Sequence, residues 1–139
     1  MKTCSMIESE PLEPKQLAAL LEFIPVLEDP AFCPGGVIPM DEFEMMEETF
    51  QNLISRLMDA CYKNGFVVRF KWEDWETEAI SYLKDPSLLK DADLAIIRRL
   101  LTWHIRQNRF LKGHFASMVA RGLVLAILKR LRELGSAGV

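Results

Sequence analysis

Apolar residues recur at three- and four-residue intervals along most of this chain, the spacing that lines one face of an α-helix. Behind Pro14, whose missing N–H costs nothing in a first helical turn, Leu17, Leu20, Leu21, Ile24 and Leu27 follow that period. Pro25 kinks or ends this helix, and residues 29–40, with Pro30, Pro34, Gly35, Gly36 and Pro39, hold too many breakers for regular structure. A second helix has a clear start. Asp41 is its N-cap, Glu44 stands three residues on, and Met40 and Met45 are placed as a hydrophobic staple. Its inner positions are Phe43, Met46, Phe50, Leu53, Ile54, Leu57 and Cys61, and Asn64-Gly65 closes it.

Phe66–Phe70 is β-prone but too short for a sheet and reads as extended linker. Trp72 and Trp75 open a third helix that runs to about Leu83, with Ile80 and Leu83 inward. Asp85-Pro86-Ser87 fits a cap followed by proline and one short turn. A fourth helix spans residues 93–109, a fifth lies near 113–121, and a sixth near 123–134, the last two meeting at Gly122. The pattern therefore predicts an all-α, single-domain bundle of about six helices with no significant sheet. It spans 1–139, with 1–13 as a loose tail. The expected core includes Leu101, Ile105, Phe110, Met118, Val124, Ile127, Leu128 and Leu131.

Charge changes this picture most. Residues 1–97 carry 8 Lys+Arg against 19 Asp+Glu, whereas residues 98–139 carry 9 Lys+Arg against the single acid Glu133. Balances of −11 and +8 thus hide inside a total of −3. Either the basic end docks onto the acidic end, or it leaves a cationic surface for a polyanion. With 50% hydrophobic and 27% charged residues the composition is that of a globular domain. No apolar run reaches the roughly 18 residues of a membrane span. The N-terminal residues have no apolar signal core, and three widely spaced cysteines without a C-x-x-C read as reduced thiols, Cys61 among them as a small core residue. A cytoplasmic protein is expected.

Arg98, Arg99, Thr102, Arg106 and Arg109 share one arc of the fourth helix, opposite Ile97, Leu100, Leu101 and Ile105. The arginines Arg98, Arg99, Arg106 and Arg109 are the candidate binding residues, for phosphates or for carboxylates such as Glu44, Glu47 and Glu48. A plain solvated face is the alternative. His104 falls in the middle of the apolar arc near Asn108, as a buried histidine with one hydrogen-bond partner or as a ligand or general base. His114 lies beyond a helix break, and the His-x9-His spacing, lacking a neighbouring carboxylate or cysteine, is no metal motif. The acidic run Asp41, Glu42, Glu44, Glu47 and Glu48 lacks the E-x-x-H partner of a di-iron site. The pair of helices around Gly122 invites a helix-turn-helix reading. That reading fails, because Leu123-Val124-Leu125-Ala126-Ile127-Leu128 is apolar where base-contacting side chains must be polar. Such a helix is either the central core helix or half of a dimer interface.

The stretch Leu100-Leu101-Thr102, Arg106-Gln107-Asn108-Arg109-Phe110-Leu111-Lys112-Gly113, Gly122 and Ile127-Leu128-Lys129-Arg130-Leu131 resembles a family of uncharacterised prokaryotic proteins. That family shows L-L-T, then R-x-x-R-F-x-x-G, a second glycine and an I-L-x-R-L ending. The resemblance covers residues 100–131 and implies a domain identity without functional residues. Physically, R-x-x-R-F-x-x-G is either a structural corner plugged by Phe110, or an anion site made by Arg106, Arg109 and the first amides of the fifth helix. No nucleophile elbow, P-loop, dinucleotide fingerprint, zinc pattern or Cys–His signature is present. The expectation is a non-enzymatic interaction or accessory module that binds a protein partner or itself as a homodimer, without cofactor, metal or membrane. The alternative is a nucleic-acid-associated protein using the stripe around Arg98–Arg109.

Overall fold

The computed structural model describes residues 12–29 and 48–136, and within them the chain is all-α. Its helices are α1 (Pro14–Leu21), α2 (Ile24–Glu28), α3 (Glu48–Lys63), α4 (Glu76–Lys84), α5 (Leu94–Gln107), α6 (His114–Ala120) and α7 (Leu123–Ser136). Two 3-10 turns, Trp72–Trp75 and Pro86–Asp91, precede α4 and α5. The predicted first helix is split in two. Glu22 and Phe23 end α1, and Pro25 sits in the first turn of α2, where its missing donor is tolerated. The loop at residues 30–40, the helix-start signal at Asp41 and Glu44, the inner positions Phe43 and Met46, Cys4, Cys33 and the tail 1–11 lie outside the described residues.

Phe50, Leu53, Ile54, Leu57 and Cys61 are buried along α3, as their period requires. Its end is closed by the Phe66 N–H donating to the Cys61 carbonyl at 2.9 Å and by the Asn64 side chain on the Ala60 carbonyl at 2.9 Å. The Cys61 thiol, wholly enclosed, is pushed up to about 12 by burial. After this helix the extended linker runs inward, with Phe66, Val67 and Val68 all buried. A buried extended segment must find partners for its backbone. Here α5 supplies them. The Thr102 hydroxyl accepts from the Val68 N–H at 2.9 Å and donates to the Phe66 carbonyl at 3.2 Å. The threonine assigned to the polar arc of α5 is thus fully buried and holds the linker backbone in place.

The last helix is the centre of the molecule. α7 packs against α1, α2, α5, α6 and the Pro86–Asp91 turn, and Leu123, Val124, Ile127, Leu128 and Leu131 are buried among them. Of the two readings of this helix, the central core helix holds, because its apolar face is covered within the chain. The acidic N-terminal helices do meet the basic end here. Lys129 pairs with Glu28 at 3.2 Å, but both side chains are about half exposed and such a pair adds little. Arg130 contributes more: its Nε donates to the Ala92 carbonyl at 2.8 Å and its Nη1 to Glu133 at 3.1 Å, tying the entry of α5 to α7.

Seven of the eight expected core residues are buried, and Phe110 is the correction: it is 69% exposed. The chain keeps winding past Gln107, with Phe110 N–H and Leu111 N–H both donating to the Gln107 carbonyl. At about 100° per residue Phe110 falls within about 40° of Arg106 and 20° of Arg99, on the polar rather than the apolar arc of α5. It plugs nothing.

Candidate functional site

The residues singled out in the sequence converge on the corner between α5 and α6. Asp93 sets the rotation of α5 by accepting the Ile96 N–H at 2.9 Å. The helix ends at Asn108, and the His114 N–H donates to the Leu111 carbonyl at 2.9 Å as the chain turns. Gly113, at φ 82°, reverses the path in a conformation that L side chains disfavour. Asn108 then reaches across: its Oδ1 accepts the Phe115 N–H at 3.0 Å, filling one of the orphan donors of α6 from the preceding helix. Of the two readings of R-x-x-R-F-x-x-G, the anion site loses the His114 and Phe115 amides, which already donate within the chain.

Under the corner lies a pair of histidines. His104 is 1% exposed and His114 is 6% exposed. Nδ1 of His104 and Nε2 of His114 are 2.9 Å apart. The ring centroids are 5.2 Å apart with planes only 15° from parallel, so the imidazoles lie edge to edge rather than face to face. Trp103 stands perpendicular to His104 at 5.1 Å and steeply to His114 at 6.1 Å. The pattern of α5 predicts His104 as buried with a single partner, and so it is. That partner is His114, on the far side of the helix break.

Each neutral imidazole offers one N–H and one lone pair, so two arrangements can make this bond. If His114 donated, the remaining N–H of His104 would sit at Nε2, which is buried with no partner among the described residues. If His104 donates through Nδ1, Nε2 carries only a lone pair. A buried orphan acceptor costs less than a buried orphan donor, so His104 donates and His114 accepts. Burial, and then the neighbouring His114, push His104 down to about 3; burial, and then Arg121, lower His114. The pair is held neutral. Among the described residues no third His, Cys, Asp or Glu joins it.

Above the corner the surface is apolar and aromatic. Phe110 and Leu111, the latter 45% exposed, project from the turn. The Trp72 ring packs on Phe110 with centroids 6.0 Å apart and planes 36° apart. Arg109 and Lys112 flank the pair in the chain and are exposed, and Arg121, also exposed, caps the far end of α6. The four candidate arginines do not form one stripe. Arg98 is 0% exposed, a core side chain. Arg99 is half-buried, its guanidinium 5.0 Å from the Phe70 centroid and 5.8 Å from that of Trp75. Arg106 is half-buried, and of the four Arg109 alone is exposed. The wheel missed this because it weighs side chains by polarity, whereas Arg98 and Arg99 lie where neighbouring helices and the Trp72–Trp75 turn cover α5.

No helix among the described residues is long and apolar enough to cross a membrane. No curated protein and no solved structure matches the chain. A family model does, across residues 12–137, a span that holds both the corner and the core helix beneath it: the chain belongs to a family of unknown function (DUF6508).

Proposed function

We propose that this protein is a non-enzymatic interaction module that docks an acidic segment of a partner protein through the α5–α6 corner. The observation that carries this reading is the exposure of Phe110 and Leu111 side by side on an ordered turn, backed by Trp72. Among the described residues Leu88 is the one other large apolar side chain so exposed, and it stands alone on the Pro86–Asp91 turn. A clustered aromatic and aliphatic pair on a fixed corner is an anchor of the type that dominates protein interfaces. Charge supplies the selectivity. Arg109 is exposed next to the anchor in the chain, so carboxylates beside an apolar residue are its natural complement. A nucleic acid would use the same aromatic and basic groups by stacking and phosphate contact, but its long run of phosphates meets more of the repulsion set by the overall charge of −3 than a short acidic segment does.

The test is fluorescence anisotropy with a labelled Asp/Glu-rich peptide carrying one Phe and one Leu, alongside single-stranded RNA and DNA, over a salt series. Binding of the peptide that disappears in a Phe110→Ser/Leu111→Ser variant of unchanged melting temperature is the expected result. Preference for the oligonucleotides, with affinity falling steeply in salt, would replace this reading by the nucleic-acid one. Self-association in sedimentation velocity that the same double substitution abolishes would make a second copy the partner. No binding of any kind would overturn the corner as a docking surface.

A further inference from the structure

We infer that the His104–His114 pair is a pH-sensitive latch, holding the α5–α6 corner closed while both rings are neutral and releasing it on protonation. The chain has only two histidines, and both are in this pair. One is on α5 and the other is the first residue of α6, so their bond joins the two helices on either side of Phe110 and Leu111. The Asn108 side chain on the Phe115 N–H is a second polar link across the turn.

The geometry leaves no favourable place for a proton. In the tautomer deduced above, His114 accepts at Nε2, so protonating it there sets one N–H against another. Relief would require His104 to release its Nδ1 proton and take one at Nε2, a buried position with no partner among the described residues. Protonating His104 directly at Nε2 keeps the bond but buries an unpaired N–H and a charge. The surrounding charges do not compensate. Arg121, at the C-terminal end of α6, acts on His114 with the same sign, and His114 acts on His104. The helices packed against α6 are α3, α5 and α7, and α5 also meets α4 and the Trp72–Trp75 turn, whose carboxylates Glu73, Asp74, Glu76 and Glu78 are all exposed. Helix α5 carries no carboxylate. On α3, Glu48 is exposed in the first turn and Asp59 is engaged with Lys63; on α7, Glu133 is engaged with Arg130. Trp103 presents its ring to both imidazoles.

The sign follows from linkage. Both histidines are lowered in the closed state relative to their ordinary value near 6.5, so the closed state binds fewer protons than the open one. Closure is at full strength above pH 6.5 and weakens as the pH falls toward the folded values. At pH 5 a released histidine favours opening by up to about 30-fold, and two released together by up to about 1,000-fold. Both histidines of the chain are in the pair, and the comparison of corner with α3 separates its response from that of the rest of the protein.

This inference concerns regulation of the corner and takes its functional consequence, release of the partner in acid, from the proposed docking role. The test does not need a partner. Histidine ring resonances are followed by NMR from pH 7.5 to 5, together with amide hydrogen exchange corrected for its intrinsic pH dependence. The expected result is that neither ring titrates near 6.5 in the closed state. Amides of residues 109–117 should lose at least 10-fold more protection than those of α3, with a smaller loss in His114→Gln, whose Oε1 can still accept from His104. Rings titrating near 6.5 with corner protection unchanged would overturn the latch. So would equal losses in α3 and the corner, since the pair would then act on global stability alone. Both of these outcomes are read on the wild-type chain, should the variant fail to fold. A corner that opens in acid yet never binds the peptide refutes the docking role and leaves the latch standing.

Discussion

Replacing Thr102 by valine exchanges one buried hydroxyl for a methyl group. The two side chains have nearly the same shape, so no cavity opens, but two backbone groups lose their partner: the Val68 N–H and the Phe66 carbonyl. Both residues are buried, at 2% and 0% exposure, and water cannot replace the hydroxyl without displacing the core. A buried polar group left unsatisfied costs about 1–3 kcal/mol. The donor should account for most of this, and the added methyl returns up to about 0.8 kcal/mol of apolar burial. With two such groups left unsatisfied the net loss is about 1–5 kcal/mol, which for a chain of this size lowers the melting temperature by roughly 3 °C or more. Thr102→Ser is the control. It keeps the hydroxyl and loses a methyl, at a cost of about 1 kcal/mol. Urea denaturation of the three proteins should show shifted midpoints with an unchanged slope, valine falling below serine. A valine variant as stable as wild type, or more stable than serine, would refute the idea that this hydroxyl satisfies the linker.

Gly122 joins α6 to α7 at φ +86°, and a Cβ there would meet nothing within 4 Å. Gly122→Ala should therefore cost only backbone strain, about 1–2 kcal/mol, and Gly122→Asn less, because asparagine tolerates the left-handed region. Equal melting temperatures for all three proteins would show that the junction relaxes freely. The Cys61 thiol, enclosed and raised to about 12, should resist alkylation at pH 8 in the folded chain and react promptly in urea, as read by mass spectrometry of its peptide. Rapid labelling of the folded protein at that residue would mean that the end of α3 opens readily.

Helices with caps and regular apolar periods are legible in the sequence. Asp93, Asp85, Pro14 and the pair Asn64-Gly65 mark boundaries that the structure keeps within a residue or two. The run Leu123–Leu128, too apolar for DNA recognition, is indeed the core of α7. What fails is the inference from residue type to exposure. Arg98 and Thr102 are polar and buried, and Phe110 is apolar and exposed. Both errors have one source. A wheel describes a helix in isolation, whereas burial depends on which neighbours cover each side, and no local pattern shows that the linker Phe66–Val68 packs on the polar arc of α5. The histidine pair escapes notice for a related reason. A spacing of ten residues has no meaning within one helix and acquires one only when the chain reverses at Gly113.

The opposed charges of the two halves have a structural meaning that neither docking nor a free cationic surface captures alone. Part of the basic excess is absorbed by the fold. Arg98 is core, Arg99 lies against Phe70 and Trp75, Lys129 meets Glu28, and Arg130 holds the Ala92 carbonyl and Glu133. Docking of the basic end onto the acidic end is thus real, yet it runs through apolar packing of α1 and α2 on α7 more than through ion pairs. Exposed cations at the α5–α6 corner include Arg109, next to Phe110 in the chain. Absorbing some charges is what concentrates the others. A uniformly basic stripe would attract any polyanion, whereas a few cations around an apolar anchor demand a ligand that satisfies both, which is the stronger basis for specificity.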